Sequence, residues 1–307
     1  FTNNQNSSTK LTGKLEASYR LPENTRATLG IDYASVQRSR PVSSTVISGL
    51  TALREDTREQ GYRAELGRAF SETLHASLSY VSSRREGSNW LKPNTLPQTG
   101  VTELSDLAIY NPTGAFPMTL EDRQRDKLKL SADWSPMELL SLQLMFENGK
   151  DAYSAPTTKG LRDTGVRSYG IDAAYLLSDK WKLTGYWNRG SQTLHVDHAT
   201  GYLAELENIS SSLGLGAVGK LSSKLELGGD LSYMNDRNRY RQSLSSGDEL
   251  AGEGLPDVSY RLTRLKFFGK YALEKNADLR VDLVHQRAKL DEWTWAYNGT
   301  SFVYSDN

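Results

Sequence analysis

The chain of 307 residues carries 37 Lys+Arg against 37 Asp+Glu, four His and no Cys, with 37% hydrophobic and 24% charged residues. The absence of Cys excludes disulfides, Cys-type zinc sites, thiolate catalysis and covalent c-type haem attachment, which needs Cys-x-x-Cys-His. Balanced charge argues against a nucleic-acid binder held by counterion release, and no run of about 18 apolar residues offers a transmembrane helix or a hydrophobic signal segment.

The average resembles that of a soluble protein, but its order along the chain does not. From Leu11 the apolar set Leu11, Gly13, Leu15, Ala17, Tyr19 alternates with Thr12, Lys14, Glu16, Ser18. After Pro22-Glu23-Asn24 it resumes as Ala27, Leu29, Ile31, Tyr33, which is a β-hairpin by period and by turn chemistry. Five more such pairs follow. Tyr62 to Leu66 turns at Phe70-Ser71-Glu72 into Leu74 to Tyr80, and Leu128 to Trp134 turns at Ser135-Pro136-Met137 into Leu140 to Phe146. Tyr169 to Tyr175 turns at Ser178-Asp179-Lys180 into Trp181 to Trp187, and Leu213 to Ala217 turns at Leu221-Ser222-Ser223 into Leu225 to Tyr233. Leu265 to Tyr271 turns at Glu274-Lys275-Asn276 into Ala277 to Leu283. Twelve strands are expected in all, with helical spacing absent except for a possible helical turn within Val46 to Arg58.

None of the apolar-face positions carries a charge; the opposite face holds Lys14, Glu16, Asp32, Arg63, Glu65, His75, Lys127, Lys129, Asp133, Asp172, Lys182, Glu226, Asp230, Lys266, Lys270, Asp278, Arg280 and Asp282. A soluble sandwich and a membrane barrel both produce such alternation. Three features favour the barrel. Connections alternate between tight turns and long segments (Ser39 to Gln60, Arg84 to Asp126, Asn235 to Ser259), as in outer-membrane barrels with short periplasmic turns and long extracellular loops. Aromatic residues of the apolar face gather at strand ends: Tyr19, Trp134, Tyr175, Trp181 and Tyr271 beside the tight turns, and Tyr33, Tyr62, Tyr80, Phe146, Tyr169, Trp187 and Tyr233 beside the long segments. Two such girdles suit two water–lipid interfaces. Each alternating core with its flanks is also about 9–11 residues, enough to cross the hydrocarbon at a tilt. The expectation is a single domain, residues 1–307, forming twelve strands of an all-β, up-and-down antiparallel transmembrane barrel in the bacterial outer membrane. Because a tight turn joins the first two strands and enters the last, both ends fall on the outer side. A complete barrel has both in the periplasm, so at least one further strand is expected at each end, making 14 or more and a lumen too wide for its own side chains to fill.

Catalytic constellations are scarce. His195-Val196-Asp197-His198 forms the one His/Asp cluster, expected in the loop between strands eight and nine; two solvated histidines are the plainer reading than a metal site. Gly-x-Ser-x-Gly, P-loop and dinucleotide motifs are missing, as is the Ser/His/Asp set of an outer-membrane hydrolase, so no enzyme is expected. The lumenal charges are of both signs and often adjacent, whereas a selective porin tends to show one sign at its constriction. Glycines among them (Gly30, Gly67, Gly170, Gly214, Gly216, Gly228) suit either close approach of another polypeptide or a self-neutralising wetted wall. Arg84-Arg85, Arg123 to Arg125 and Arg237 to Arg241 are expected at the outer rim, against anionic lipopolysaccharide.

The hairpin Leu265-Lys-Phe-Phe-Gly-Lys-Tyr-Ala-Leu-Glu-Lys-Asn-Ala-Asp-Leu-Arg-Val-Asp-Leu283, the following Asp291-Glu-Trp-Thr-Trp-Ala296 and Tyr110-Asn-Pro-Thr-Gly-Ala-Phe-Pro117 resemble the MtrB/PioB family of decahaem-cytochrome-associated outer-membrane barrels. The resemblance covers the chain in hairpin order and corresponds to about the C-terminal half of the family. It implies an insulating sheath: a periplasmic decahaem c-type cytochrome in the lumen, an extracellular multihaem cytochrome on the outer loops, haem carried only by these partners, and no cofactor in the barrel itself. On that implication Lys14, Arg63, Lys127, Lys129, Lys182, Asp230, Arg280 and Asp282 are candidates for touching the inserted cytochrome, and Trp90, Tyr110, Trp293 and Trp295 for the outer partner. Outer-membrane lipid and lipopolysaccharide surround the wall; a passive porin or substrate channel is the alternative.

Overall fold

The computed structural model describes residues 7–39, 54–88, 121–154, 160–197, 202–244, 256–297 and 302–306. Its strands are β1 (Ser8–Leu21), β2 (Thr25–Arg38), β3 (Asp56–Ala69), β4 (Leu74–Gly87), β5 (Asp122–Met137), β6 (Leu140–Ser154), β7 (Gly160–Ser178), β8 (Trp181–Asp197), β9 (Tyr202–Lys220), β10 (Leu225–Leu244), β11 (Val258–Glu274), β12 (Ala277–Asp291), β13 (Trp293–Tyr297) and β14 (Phe302–Asp306). The first twelve form one antiparallel sheet in sequence order, and β13 with β14 forms a separate hairpin. The sheet is open: β1 and β12 are its edges and each pairs with one neighbour among the described strands.

Register places like with like, because a slip of one residue would move every apolar side chain to the wrong face. Leu15 opposes Ile31 and Tyr19 opposes Ala27 across the first hairpin, and Leu29 opposes Ala64 across the next. The first tight turn closes with Thr25 N–H donating to Pro22 C=O at 3.3 Å, and its left-handed positions are Glu23 (φ 57°) and Asn24 (φ 53°). Asparagine accepts that conformation readily and glutamate less so. Arg68 holds Glu23 from the neighbouring hairpin, its Nη2 donating to Oε2 at 2.5 Å.

Three departures from the sequence expectations have physical causes. The turn expected at Ser135-Pro136-Met137 lies one step later, between Met137 and Leu140, because the strand tolerates Pro136 in a bulge between Trp134 and Met137 where no ladder donor is needed. The expected helical turn in Val46 to Arg58 falls mostly outside the described residues, and its described part is irregular at Arg54 and Glu55 and then strand from Asp56. The twelve strands of the sheet are 14 to 20 residues long, not 9–11. At about 3.3 Å per residue and a tilt near 45°, this gives roughly 33–47 Å of wall against about 25 Å of apolar band, so the strands run on beyond the hydrocarbon. Much of the expected outer loop is therefore strand: β6 ends at Ser154 and β7 starts at Gly160, while β8 ends at Asp197 and β9 starts at Tyr202. His195 and Asp197 consequently lie in β8, not in a loop, and His198 is outside the described residues.

The two faces differ in exposure and chemistry. Leu11, Leu15, Tyr19, Leu29, Ile31, Tyr62, Leu130, Trp134, Leu215, Leu231, Phe267 and Leu283 are all exposed large apolar residues of one face, Leu15 and Tyr19 each at 71%. Buried apolar residues are few: Leu161, Val196 and Ala204, with Tyr153, Leu194 and Tyr240 packed on them near the upper ends of β6 to β10. A water-soluble sheet would not leave such a band uncovered. No helix among the described residues is long and apolar enough to cross a membrane.

Candidate functional site

The polar face is the wall of the lumen, and its charges are arranged as short cross-strand rows. Glu16 on β1 and Arg63 on β3 are not neighbours in the ladder; both oppose Gly30 on the strand between them. Without a side chain at Gly30 the Arg63 guanidinium crosses that strand, 3.1 Å from where a Cβ would stand, and reaches Glu16 Oε2 at 2.5 Å. Lys14 Nζ meets the same oxygen at 3.0 Å. Lys127 pairs with Glu147 at 2.7 Å and Lys270 with Asp278 at 2.9 Å. Arg280 grips Asp282 on its own strand through Nε at 2.8 Å and Nη2 at 2.9 Å, Lys266 Nζ stands 4.0 Å from Asp282, and the Arg280 guanidinium lies 4.4 Å from the Phe268 ring centre.

Five of the eight lumenal candidates, Lys14, Arg63, Lys127, Arg280 and Asp282, are thus paired inside the wall. Lys129, Lys182 and Asp230 make no ion pair among the described residues. The glycines have a different use from the close approach considered above. Tyr186 covers Gly214, Phe268 covers Gly228, and Asn188 Oδ1 would meet a Cβ at Gly170 at 2.7 Å, so these glycines accommodate the wall's own side chains. Gly67 has open space above it.

Arginine clusters expected at the rim divide between the two faces by strand alternation. Arg85, Arg123 and Arg125 turn to the lumenal side. Arg123 pairs with Glu59 at 2.6 Å, and Arg125 makes a two-pronged contact with Asp151, both bonds 2.7 Å. Arg54 donates Nε to Ser88 C=O at 2.7 Å, Nη2 to Gly87 C=O, and Nη1 to Asp122 Oδ1 at 2.6 Å, which ties the β2–β3 connection to both ends of the β4–β5 connection. Arg85, Arg123, Arg125 and Asp151 border a cavity of about 520 Å³ that also touches Tyr153, Thr164, Gln192, Leu206 and Asn238. Side chains from β4 to β10 share it, so the sheet curls around the lumenal side here. Glu121, just before β5, is fully buried beside them; both its carboxylate oxygens are without a hydrogen-bond partner, and burial pushes the group up to about 8 against the pull of Arg162 and Arg85. Sequence reasoning missed Glu121, which no motif marks.

On the opposite face above the apolar band, His195 Nδ1 is 2.8 Å from Asp163 and its Nε2 3.6 Å from Glu205, while Arg241 meets Glu205 at 3.7 Å. Among the described residues no group of three His, Cys, Asp or Glu side chains could hold a metal ion.

The aromatic candidates lie on the exposed apolar face: Tyr19, Tyr62, Tyr80, Trp134, Tyr169, Trp187 and Tyr271 are exposed, and Tyr33, Phe146, Tyr175, Trp181 and Tyr233 lie beside them on the same face, partly buried. Phe146 and Tyr169 touch across strands with ring centres 5.2 Å apart. Of the outer-partner candidates, Trp293 donates Nε1–H to Pro256 C=O at 3.0 Å, fixing the β13–β14 hairpin to the entry of β11. Trp295 lies in β13, and Trp90 and Tyr110 fall outside the described residues.

Residues 1–305 match the model of the family described as "Putative outer membrane beta-barrel porin, MtrB/PioB". No curated protein matches the sequence. Among solved structures, the open form of the ferric-catecholate import receptor Fiu from E. coli K12 is similar at 10% identity and a TM-score of 0.55, covering 91% of this chain and 53% of that one. The ferric yersiniabactin uptake receptor FyuA from Yersinia pestis matches at 10% identity and 0.47, covering 96% of this chain and 51% of that one. The chain therefore spans about half the length of these receptors, and at such identity the likeness concerns fold alone.

Proposed function

The chain belongs to the MtrB/PioB family of outer-membrane β-barrels, and from that membership we propose that its sheet is part of a barrel sheath housing a periplasmic decahaem c-type cytochrome and docking an extracellular multihaem cytochrome. Electrons would cross the outer membrane along the partners' haems while this wall excludes lipid and limits water. The observation that carries the reading is the lumenal wall: its charges are of both signs and largely cancel within the sheet, as in the Lys14–Glu16–Arg63, Lys127–Glu147 and Arg280–Asp282 groups. A charge-selective pore would be expected to carry a ring of one sign, whereas a neutralised wall permits a large polypeptide to lie against it without a strong net field. Lys129, Lys182 and Asp230 then supply the free charges that orient the guest. Unpaired strand edges are costly in hydrocarbon, so β1 and β12 need strand partners for the barrel to close.

The family description names a porin, which favours a second reading as an open channel. Planar-bilayer conductance separates the two. Under the sheath reading, barrel purified with its guest is nearly silent and barrel stripped of it conducts. A barrel that conducts equally before and after stripping, and never carries haem absorbance, is a porin.

A further inference from the structure

The outer face of β10 to β12 carries a pattern that the sheath has no use for. Moving up these strands, the apolar positions give way to cations: Leu231 and Tyr233 lead to Arg237, Leu265 to Arg261, and Leu283 to Arg287 and Lys289. Register brings these together, with Arg261 directly opposite Lys289 and Arg287 opposite Thr263 in the adjacent row. Opposed like charges destabilise a sheet unless something lies between them. The sheet offsets this only in part: one oxygen of Asp291 is 3.9 Å from Arg261 and 4.0 Å from Lys289, Asp257 is shared by Arg237 at 3.7 Å and Arg239 at 3.2 Å, and Glu207 is 3.4 Å from Arg239. Arg287 has no ion pair among the described residues.

Immediately below, on the same face, lies an apolar groove of about 760 Å³ whose walls include Leu215, Ala217, Gly229, Leu231, Phe267 and Leu283. Small residues in a row of large ones make the valley. A second apolar groove of about 390 Å³ lies across β1 to β4. Above that one the outer face is not basic: Arg58 and Arg84 stand among Asp56, Glu86 and Asp126. Of these two grooves, only the larger has an excess of cations on the outer face above it, with Arg287 outside any ion pair among the described residues.

We propose that the outer face of β8 to β12 binds a phosphorylated glycolipid of the outer leaflet, with acyl chain in the groove and phosphate on Arg261, Arg287 and Lys289. Phosphate oxygens between Arg261 and Lys289 accept from both and remove their repulsion, and guanidinium offers the two-pronged geometry that phosphate matches. The site rests on the barrel's place in the outer membrane and not on the sheath reading.

The test uses full-length barrel extracted from outer membranes in mild detergent, with bound lipopolysaccharide counted by native mass spectrometry. The triple variant Arg261→Gln, Arg287→Gln, Lys289→Gln is expected to lower retention roughly tenfold, and the Lys-for-Arg variant at 261 and 287 to restore most of it. Arg58→Gln with Arg84→Gln should retain it as wild type does. A groove-filling Gly269→Val variant should also lose lipid, since a Cβ there meets Leu227 at 3.5 Å, an ordinary contact that the fold accepts. Re-addition of lipid A should reload the stripped barrel, whereas dephosphorylated lipid A should not. Equal retention by wild type and triple variant, or equal loss from the Arg58/Arg84 variant, would overturn the proposal.

Discussion

Glu121→Gln should stabilise the outer rim at alkaline pH and leave it almost unchanged at acid pH. The carboxyl is fully buried with both oxygens unpartnered, and its folded-state value is raised from 4.5 to about 8. A raised carboxyl favours the folded state fully below the unfolded value, near pH 4.5, and loses that favour as pH climbs toward 8, where the buried group must ionise. At about 1.4 kcal/mol per pH unit, the interval bounds the effect at about 5 kcal/mol, and water entering at the rim brings the expectation to about 2 kcal/mol. Glutamine keeps the shape without the ionisation. Urea unfolding from lipid bilayers, followed by tryptophan fluorescence for both proteins at pH 5 and pH 9, isolates the term, because every other titrating group cancels in the difference. A gain for the variant that is about 2 kcal/mol larger at pH 9 than at pH 5 is expected; an equal gain at both, or a loss growing with pH, would refute the reasoning.

Other expectations follow from particular contacts. Phe268→Ala uncovers Gly228 and removes the ring beneath Arg280, and should cost about 2 kcal/mol in the same unfolding assay, more than a lumen-exposed phenylalanine without those neighbours. Gly30→Val should push the Arg63 guanidinium off its path to Glu16; an ion pair this open to water adds little to stability, so the fold should survive while single-channel recordings of the stripped barrel show a changed ion preference. Trp293→Phe loses the bond to Pro256 C=O, and limited proteolysis should cut between β12 and β14 sooner than in wild type. Reversing Lys129, Lys182 and Asp230 together should weaken retention of haem protein by the purified barrel, whereas reversing the wall-paired Lys127 and Glu147 together should change it little.

The twelve strands of the sheet, their pairing order and the division into two faces were legible in the sequence because each depends on a period of two set by the strand residues between Leu11 and Leu283, whereas the short β13–β14 hairpin was not expected. The point at which strands stop was not. Beyond the apolar band both faces are polar, alternation loses its contrast, and the upper parts of β8, β9 and β10 read as loop, which hid His195 in a strand. The Arg85, Arg123 and Arg125 cluster was read as rim charge facing lipopolysaccharide, although counting alternate positions from Lys127 and Lys129 would have turned Arg123 and Arg125 toward the lumen. The Glu16–Arg63 bridge needed the register of three strands and the missing side chain of Gly30, and Glu121 needed burial; neither leaves a trace in a single strand's pattern.

The most direct measurement of the sheath role is electron transfer across a sealed bilayer. Proteoliposomes holding the full-length barrel with its co-purified multihaem partners, a reductant enclosed and a non-permeant acceptor outside, should show rapid haem oxidation on addition of the acceptor. Liposomes that hold the multihaem partners without the barrel should show none. Loss of the enclosed reductant from vesicles holding the intact complex, with no matching oxidation of the haems, would mean that small molecules pass an open pore, and would contradict the account.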